Sequence, residues 1–160
     1  MSANSDTTGD IIQILDNLQP FLRKPIIKNK MIDFFKSDNE FQLDTINLIL
    51  GSFQNVNLQN YADLITTWLE IVAQFDTSKI NFLIKLYLEG LAENLDLIKK
   101  IEPTIINCIK NFNEVEKERL RMCFLETLYL IAINKHMILN NLSEETLKWL
   151  LKKEDHKSRG

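Results

Sequence analysis

Residues 58–75 read LQNYADLITTWLEIVAQF, and they carry the clearest helix signal in the chain. At about 100° per residue, the apolar side chains of this stretch fall on one side of a helix and the polar side chains on the other. Similar stripes recur along most of the chain. Gly and Pro, which punctuate many-stranded folds, number only 4 and 3 in 160 residues. With 45% hydrophobic residues to fill a core, the sequence predicts an all-α fold.

The capping residues divide this pattern into helices. Pro25 suits the first position of a helix, and Ser37 followed by Glu40 reads as a capping box. A side chain that accepts a hydrogen bond from a free N–H group begins three further helices, at Asn57, Asn113 and Ser143. The predicted helices cover approximately residues 10–22, 25–36, 37–53, 58–75, 79–93, 95–112, 114–137 and 143–153.

These helices form one predicted domain over residues 10–153. The polar segment 1–9 lacks an apolar pattern, so we expect it to be disordered, and we expect the tail 154–160 to be frayed. The segment 1–10 also lacks the basic and apolar regions of a secretory signal.

An internal match suggests how the helices are arranged. Residues 45–75 align without gaps on residues 104–134, pairing a helix, a short link and a second helix with the same series. Helical pairs that recur in this way are typical of α-solenoids, and the arrangement resembles HEAT or armadillo repeats. The offset of 59 residues exceeds the roughly 40 to 47 of those families. The sequence therefore predicts about seven or eight helices stacked in antiparallel pairs, with a compact orthogonal bundle as the alternative.

The charges are unevenly distributed although the net charge is only −3. Residues 11–36 carry five Lys and Arg against two Asp, whereas residues 37–78 contain no Lys or Arg and six acidic residues. No region has the dense basic character of a protein that binds mainly phosphates. The two cysteines, Cys108 and Cys123, fall in apolar helical patterns and favour a reducing compartment, the cytoplasm or the nucleus. The longest apolar stretch, residues 122–133, is too short to cross a bilayer.

No set of residues predicts catalysis. Cys123 and His136 are the obvious thiol and base, but thirteen residues along one helix separate them by about 20 Å. No His, Asp or Glu set has metal-ligand spacing, and Gly51 and Gly90 are too isolated to form a phosphate-binding loop. We therefore expect no catalytic residue, no metal and no cofactor, although a carboxylate pair assembled by folding stays open.

Three groups of residues are candidate contacts for a partner. Residues 122–133 are apolar almost all round, so this segment is either the enclosed central helix of the domain or a helix whose flank of Leu125, Tyr129 and Ile133 is covered by another protein. Phe82 and Leu86 lie off the main stripe of their helix and fit packing against a neighbour or a binding patch.

The third group is Lys28, Ile32 and Lys36, which share an outward flank. A solvated face is one interpretation, and contact with an anionic or helical partner is the other.

The sequence therefore favours a non-catalytic protein-interaction module, an adaptor or a subunit of a larger intracellular complex. A nucleic-acid-binding domain that uses the basic segment 23–36 is the alternative, and an enzyme ranks third. No membrane contact is predicted, and the oligomeric state is left open.

Overall fold

The computed structural model describes residues 12–130 and 135–152, and those ranges contain helices and no strand. The predicted disordered segment 1–9 and frayed tail 154–160 lie outside the described residues. The helices are α1 (described over 12–17), α2 (Pro20–Lys36), α3 (Asn39–Ser52), α4 (Ala62–Val72), α5 (Thr77–Ala92), α6 (Leu95–Ile109), α7 (Glu114–Leu130), α8 (Lys135–Asn140) and α9 (Glu144–Leu151). Two 3₁₀ turns, Phe53–Asn55 and Leu58–Tyr61, connect α3 to α4.

Two helices begin where their capping residues predict, at Asn113 and Ser143. The Asn113 side chain accepts a hydrogen bond from the Glu116 N–H (2.8 Å), and the Ser143 hydroxyl accepts one from the Thr146 N–H (3.2 Å). Asn57 accepts from the Gln59 N–H, although it begins a 3₁₀ turn rather than α4 itself. Each cap satisfies an N–H group that has no partner within the first turn of its helix, so the predictions at Asn113 and Ser143 are confirmed.

Two predicted boundaries near the N-terminus are wrong. Helix α2 begins at Pro20 rather than Pro25, because Pro20 can occupy the first turn without losing a hydrogen bond, and Pro25 lies inside the helix. The capping box at Ser37 does not form, since Ser37 ends α2 and its hydroxyl donates to the Asp33 carbonyl. Asp38 caps α3 instead, accepting from the Phe41 N–H at 2.8 Å.

The predicted helix over 114–137 includes residues 131–134, which lie outside the described residues. The chain is helical on both sides of that gap, as α7 and α8.

Helices α2 to α7 pack in two rows. The most extensive helix–helix contacts join helices two apart in the chain: α2 contacts α4 and α4 contacts α6, while α3 contacts α5 and α5 contacts α7. Helix α8 contacts both α5 and α6. Because the apolar stripe of each helix faces its row neighbour and the other row, the rows enclose a shared core.

Between residues 54–81 and 100–126, a nearly constant sequence offset separates the segments that lie side by side. Hydrogen bonds join six pairs of residues that are 44 to 46 positions apart: Gln54 and Lys100, Gln59 and Thr104, Ala62 and Cys108, Ala73 and Arg119, Phe75 and Arg119, and Asn81 and Glu126. Both members advance together along the chain, so the paired segments run in the same direction.

The internal match at 59 residues does not correspond to this packing. It aligns the end of α3 with α6 and α4 with α7, which are helices of opposite rows. A shift of three helices moves from one row to the other, whereas neighbours within a row are two helices apart. The match therefore reflects amphipathic helices of similar length rather than the unit that stacks.

The core forms two clusters of buried side chains. The larger one extends from Ile27 in α2 to Cys123 in α7 and includes Ile46, Ile71 and Ile80, each at most 2% exposed. The smaller cluster joins α5, α6, α7 and α8 through Leu88, Ile98, Leu128 and Ile138. The continuous packing of α7 on α5 holds the remaining face of α7 in a defined orientation.

Candidate protein-interaction surfaces

Helix α7 is anchored by one face. Leu120, Cys123, Thr127 and Leu128 are buried, and Phe124 packs against the smaller core cluster. These positions follow the three- and four-residue spacing of a helix face that packs on a neighbour. The opposite face is therefore directed away from the core.

That opposite face carries large apolar side chains that are exposed to solvent. Val115, Met122 and Tyr129 lie seven residues apart and are 78%, 51% and 60% exposed, and Leu130, which follows Tyr129 as the last residue of α7, is 76% exposed. We call Val115, Met122, Tyr129 and Leu130 the α7 stripe. Seven residues correspond to two helical turns, so the first three members lie in line along the helix. The segment from residue 122 onwards is thus not enclosed on all sides by the part of the chain that the structure describes.

The predicted flank of α7 is only partly exposed. Tyr129 lies in the α7 stripe, and Leu125 beside it is half-buried. Ile133 lies outside the described residues. The sequence pattern did not single out Val115, because a single Val among charged residues in a first helical turn is an ordinary surface position. Its spacing from Met122 is the signal that could have found it.

A shallow, nearly flat depression, whose described lining residues all lie on α7, includes the first half of the α7 stripe. Its volume is ≈ 470 Å³, and it is lined by Glu114, Val115, Glu118, Arg119 and Met122. Its shape is that of a surface contact rather than an enclosed ligand site.

Hydrogen bonds from a charged side chain fix the position of the helix that carries this depression. Arg119 donates to the carbonyls of Ala73 (2.6 Å) and Phe75, which ties α7 to the end of α4. Such carbonyls have no partner within their own helix, so a cation is stabilising there.

A second charged contact ties α7 to the C-terminal helix. The Arg121 guanidinium donates to both carboxylate oxygens of Glu118, at 3.0 and 2.6 Å, and also to the Leu150 carbonyl. The Lys152 ammonium lies 3.3 Å from the same carboxylate. These hydrogen bonds, that from Arg121 first, lower the pKa of Glu118 to about 2. The carboxylate is therefore ionised at neutral pH and fastens α9 to α7.

At the other end of the molecule, α2 presents basic side chains. Lys28 and Lys36 are exposed, and Ile32 between them is half-buried. The neighbouring basic residues are already engaged: Arg23 is 5% exposed and donates to two backbone carbonyls, and Lys24 lies 3.7 Å from Glu70. In the basic segment 23–36, Arg23 and Lys24 thus contact other parts of the fold, whereas Lys28 and Lys36 are exposed and form no ion pair with a described residue.

Phe82 and Leu86 on α5 lie in or beside the core. Leu86 is 5% exposed and belongs to the larger core cluster. Phe82 is half-buried, and its ring centroid lies 6.5 Å from that of Phe35. It lines an open depression of ≈ 270 Å³ at the edge of the core. Leu86 therefore contributes packing within the core, while part of Phe82 can be reached from solvent.

The candidate catalytic residues do not form a site among the described residues. Cys108 and Cys123 are buried, and burial raises the pKa of the Cys123 thiol, which keeps it in the protonated, weakly nucleophilic form. His136 is exposed on α8. Within residues 12–130 and 135–152, no three His, Cys, Asp or Glu side chains are grouped closely enough to hold a metal ion.

Neither known protein families nor curated proteins nor solved structures match this chain. Among the described helices, none is both long and apolar enough to cross a lipid bilayer. The surfaces described above are consequently the basis for a functional proposal.

Proposed function

We propose that this chain is a non-catalytic protein-interaction module, acting as an adaptor or a subunit of a larger complex in the cytoplasm or the nucleus. The single observation that carries the proposal is the α7 stripe. Three large apolar side chains exposed in line along a well-anchored helix, with a fourth at its end, are typical of a surface that another protein covers.

The geometry around the stripe supports this proposal. Tyr129 is an aromatic residue with a polar tip, a type enriched at interfaces, and the Lys135 ammonium lies 4.7 Å from its ring centroid. Met122 is a flexible apolar residue that adapts to different surfaces. Charged residues beside the depression, among them Glu118 and Arg119, supply the polar rim of such an interface.

We also propose that the two rows form a short α-solenoid of the HEAT or armadillo kind. The offset of 44 to 46 residues between adjacent segments falls within the roughly 40 to 47 of those families. A constant offset is expected when successive helical pairs stack with the same geometry. Stacks of this kind offer long surfaces to scaffold partners, which fits the adaptor role.

The nucleic-acid alternative has less support. Of the five basic residues in 23–36, Arg23 is buried and the exposed Lys24 pairs with Glu70, which leaves Lys28, Lys30 and Lys36 exposed without a carboxylate partner among the described residues. Three lysines neutralise few phosphates, so affinity for a duplex would be weak at physiological salt. A steep dependence of binding on salt concentration would favour this alternative.

The proposal is tested by replacing two members of the stripe with charged residues. The tagged full-length chain is purified from its native source, and co-purifying proteins are compared between wild type and the double variant Met122→Glu, Tyr129→Glu. We expect a specific protein to co-purify with wild type and to be lost from the variant, because carboxylates would be desolvated in the interface. Direct binding is then measured with that protein in purified form.

Phe41→Glu is the matched control, since Phe41 is 54% exposed on α3, outside the stripe. It should retain the partner, and circular dichroism should show equal thermal stability for all variants. Recovery of the wild-type chain alone and monomeric would contradict the proposal. So would partner recovery that survives the double variant.

A further inference from the structure

On the outward side of α2, apolar residues come first along the helix and basic residues follow. Phe21, Leu22 and Ile26, in the first two turns, are 73%, 46% and 40% exposed. Lys28 and Lys36 follow in the later turns. We call this surface the α2 outer face, made up of Phe21, Leu22, Ile26, Lys28, Ile32 and Lys36.

The positive charges of the two lysines on the α2 outer face are not neutralised by a described carboxylate. Neither Lys28 nor Lys36 forms an ion pair with a carboxylate of the described residues, whereas Lys24 on the adjacent flank pairs with Glu70. Asp33 is the one acidic residue within α2. The surface is therefore positive along its second half, and a complementary ligand must carry negative charge there.

The apolar half distinguishes between kinds of anionic ligand. Phe21 alone is 73% exposed, and with Leu22 and Ile26 it forms an apolar area at one end of the helix. A phosphate backbone would leave this area facing charge and water, whereas an amphipathic peptide can cover it. A protein segment with apolar residues at one end and carboxylates at the other satisfies both halves.

The position of α2 favours a helical ligand. Helix α2 is buried through Ile27, Met31 and Phe34 and packs on α4. Among the described helices, α4 packs on both α2 and α6, whereas α4 is the row neighbour of α2. A single convex helix packs most closely along another helix, and Phe21 to Lys36 spans about 22 Å, or four turns.

We propose that the α2 outer face binds an acidic amphipathic helix of another protein. Its apolar residues lie over Phe21, Leu22 and Ile26, and its carboxylates lie beside Lys28 and Lys36. This inference rests on the proposed interaction function and assigns a partner chemistry to a surface separate from the α7 stripe.

The experiment uses a designed peptide of about 18 residues that is helical, with Leu on one face and Glu beside it. Fluorescence anisotropy measures its affinity for the full-length chain, next to a peptide in which every Glu is Gln. We expect the Glu peptide to bind at least about tenfold more tightly, and Lys28→Glu with Lys36→Glu to abolish that preference. Phe21→Ser should weaken both peptides, because it removes apolar contact and no charge.

A double variant with the same charge change elsewhere is the matched control. Lys85 and Lys99 are exposed on α5 and α6, and Lys85→Glu with Lys99→Glu should leave the affinity within about twofold of wild type. A peptide with Lys in place of Glu should bind the Lys28→Glu, Lys36→Glu variant better than it binds wild type. Circular dichroism confirms that each variant is folded.

Several results would overturn the inference. Equal binding of the Glu and Gln peptides would show that the peptide carboxylates do not contribute to binding. Equal loss in the control variant would show that the net charge of the chain, and not this surface, determines binding. Tighter binding of a DNA duplex, lost on reversal of Lys28 and Lys36, would assign the surface to nucleic acid. The Met122→Glu, Tyr129→Glu variant should bind the Glu peptide normally, so failure of the α7 proposal and failure of this one give different results.

Discussion

At the scale of single residues, Thr127 on α7 shows where the core is not fully satisfied. It is 3% exposed, and its hydroxyl has no hydrogen-bond partner among the residues that the structure describes. A buried hydroxyl without a partner destabilises the folded state by about 1–3 kcal/mol. We expect Thr127→Val, which keeps the shape and removes the hydroxyl, to raise the free energy of unfolding by about 1 kcal/mol in urea titrations.

Thr67 provides the control for this prediction. It is 8% exposed on α4, and its hydroxyl donates to the Asp63 carbonyl at 3.0 Å. Thr67→Val removes a satisfied hydrogen bond, so it should give no gain in stability. An equal gain in both variants would attribute the effect to apolar volume rather than to the unsatisfied group.

Glu118 makes the stability of the molecule depend on pH. Its pKa falls from the ordinary 4.5 to about 2 in the folded chain, so the folded state favours the ionised form. Its contribution is complete above pH 4.5 and is lost as the pH falls from 4.5 towards 2. We expect Glu118→Gln to destabilise the chain by about 1 kcal/mol or less at pH 7, because this side chain is 45% exposed. The deficit should shrink at pH 3.

Urea unfolding at pH 7, 4.5 and 3 measures this difference. Glu114→Gln is the control on the same helix, since its carboxylate is 85% exposed and pairs with Lys117 in the adjacent turn. It should be close to neutral at each pH. A Glu118→Gln deficit that stays constant down to pH 3 would contradict the linkage.

At the scale of helices, Gly90 sets how closely α3 and α5 approach. A Cβ atom at Gly90 would lie 2.6 Å from Leu50 Cδ1, and Leu50 is a core residue with 5% exposure. Gly90→Ala should therefore destabilise the chain by about 1–2 kcal/mol, although alanine favours a helix. Differential scanning calorimetry would show a lower melting temperature.

Gly51 is the matched position, because it lies in α3 and a Cβ atom there would have no neighbouring atom within 4 Å. Gly51→Ala should raise stability by up to about 1 kcal/mol through the helix preference alone. If Gly90→Ala were equally stabilising, the close approach of the two helices would be excluded.

The boundaries of the helices were predictable where one residue decides them. Asn113 and Ser143 cap their helices through contacts with residues three positions along, which the sequence displays directly. Pro20 and Pro25 are both suited to the first turn of α2, and Ser37 and Asp38 are both suited to cap α3. Local preference alone does not decide between two such nearby candidates. The ending of α2 at Lys36 decides the second case, because Ser37 then belongs to the preceding helix.

The burial of α7 was less predictable than its helical character. An apolar sequence from residue 122 onwards indicates enclosure, yet Met122, Tyr129 and Leu130 are exposed in the structure. The periodicity of apolar residues indicates which side chains are able to be buried. The number of helices that pack around them decides which side chains are buried in the fold. Helix α7 packs closely on α5, and the described residues do not cover its far face.

At the scale of the whole molecule, the offset between adjacent segments is a property of packing. Lys24 also pairs with Glu70, 46 positions further on, which extends the same offset to α2 and α4. The chain reaches this offset by alternating between two rows, so that a helix meets the helix two places along. The sequence match at an offset of 59 residues could not reveal it, because amphipathic helices resemble one another whether or not they stack.

The sequence by itself determined that the described residues are all helical, where α7 and α9 begin, and that Cys108 and Cys123 lie in apolar surroundings. These features depend on propensity, capping and periodicity, which act over a few residues. Only the tertiary structure decided the two rows, the exposure of the α7 stripe and the division of the basic segment into paired, buried and exposed side chains. Those features depend on contacts between residues about 45 positions apart, and such contacts form only when the helices pack.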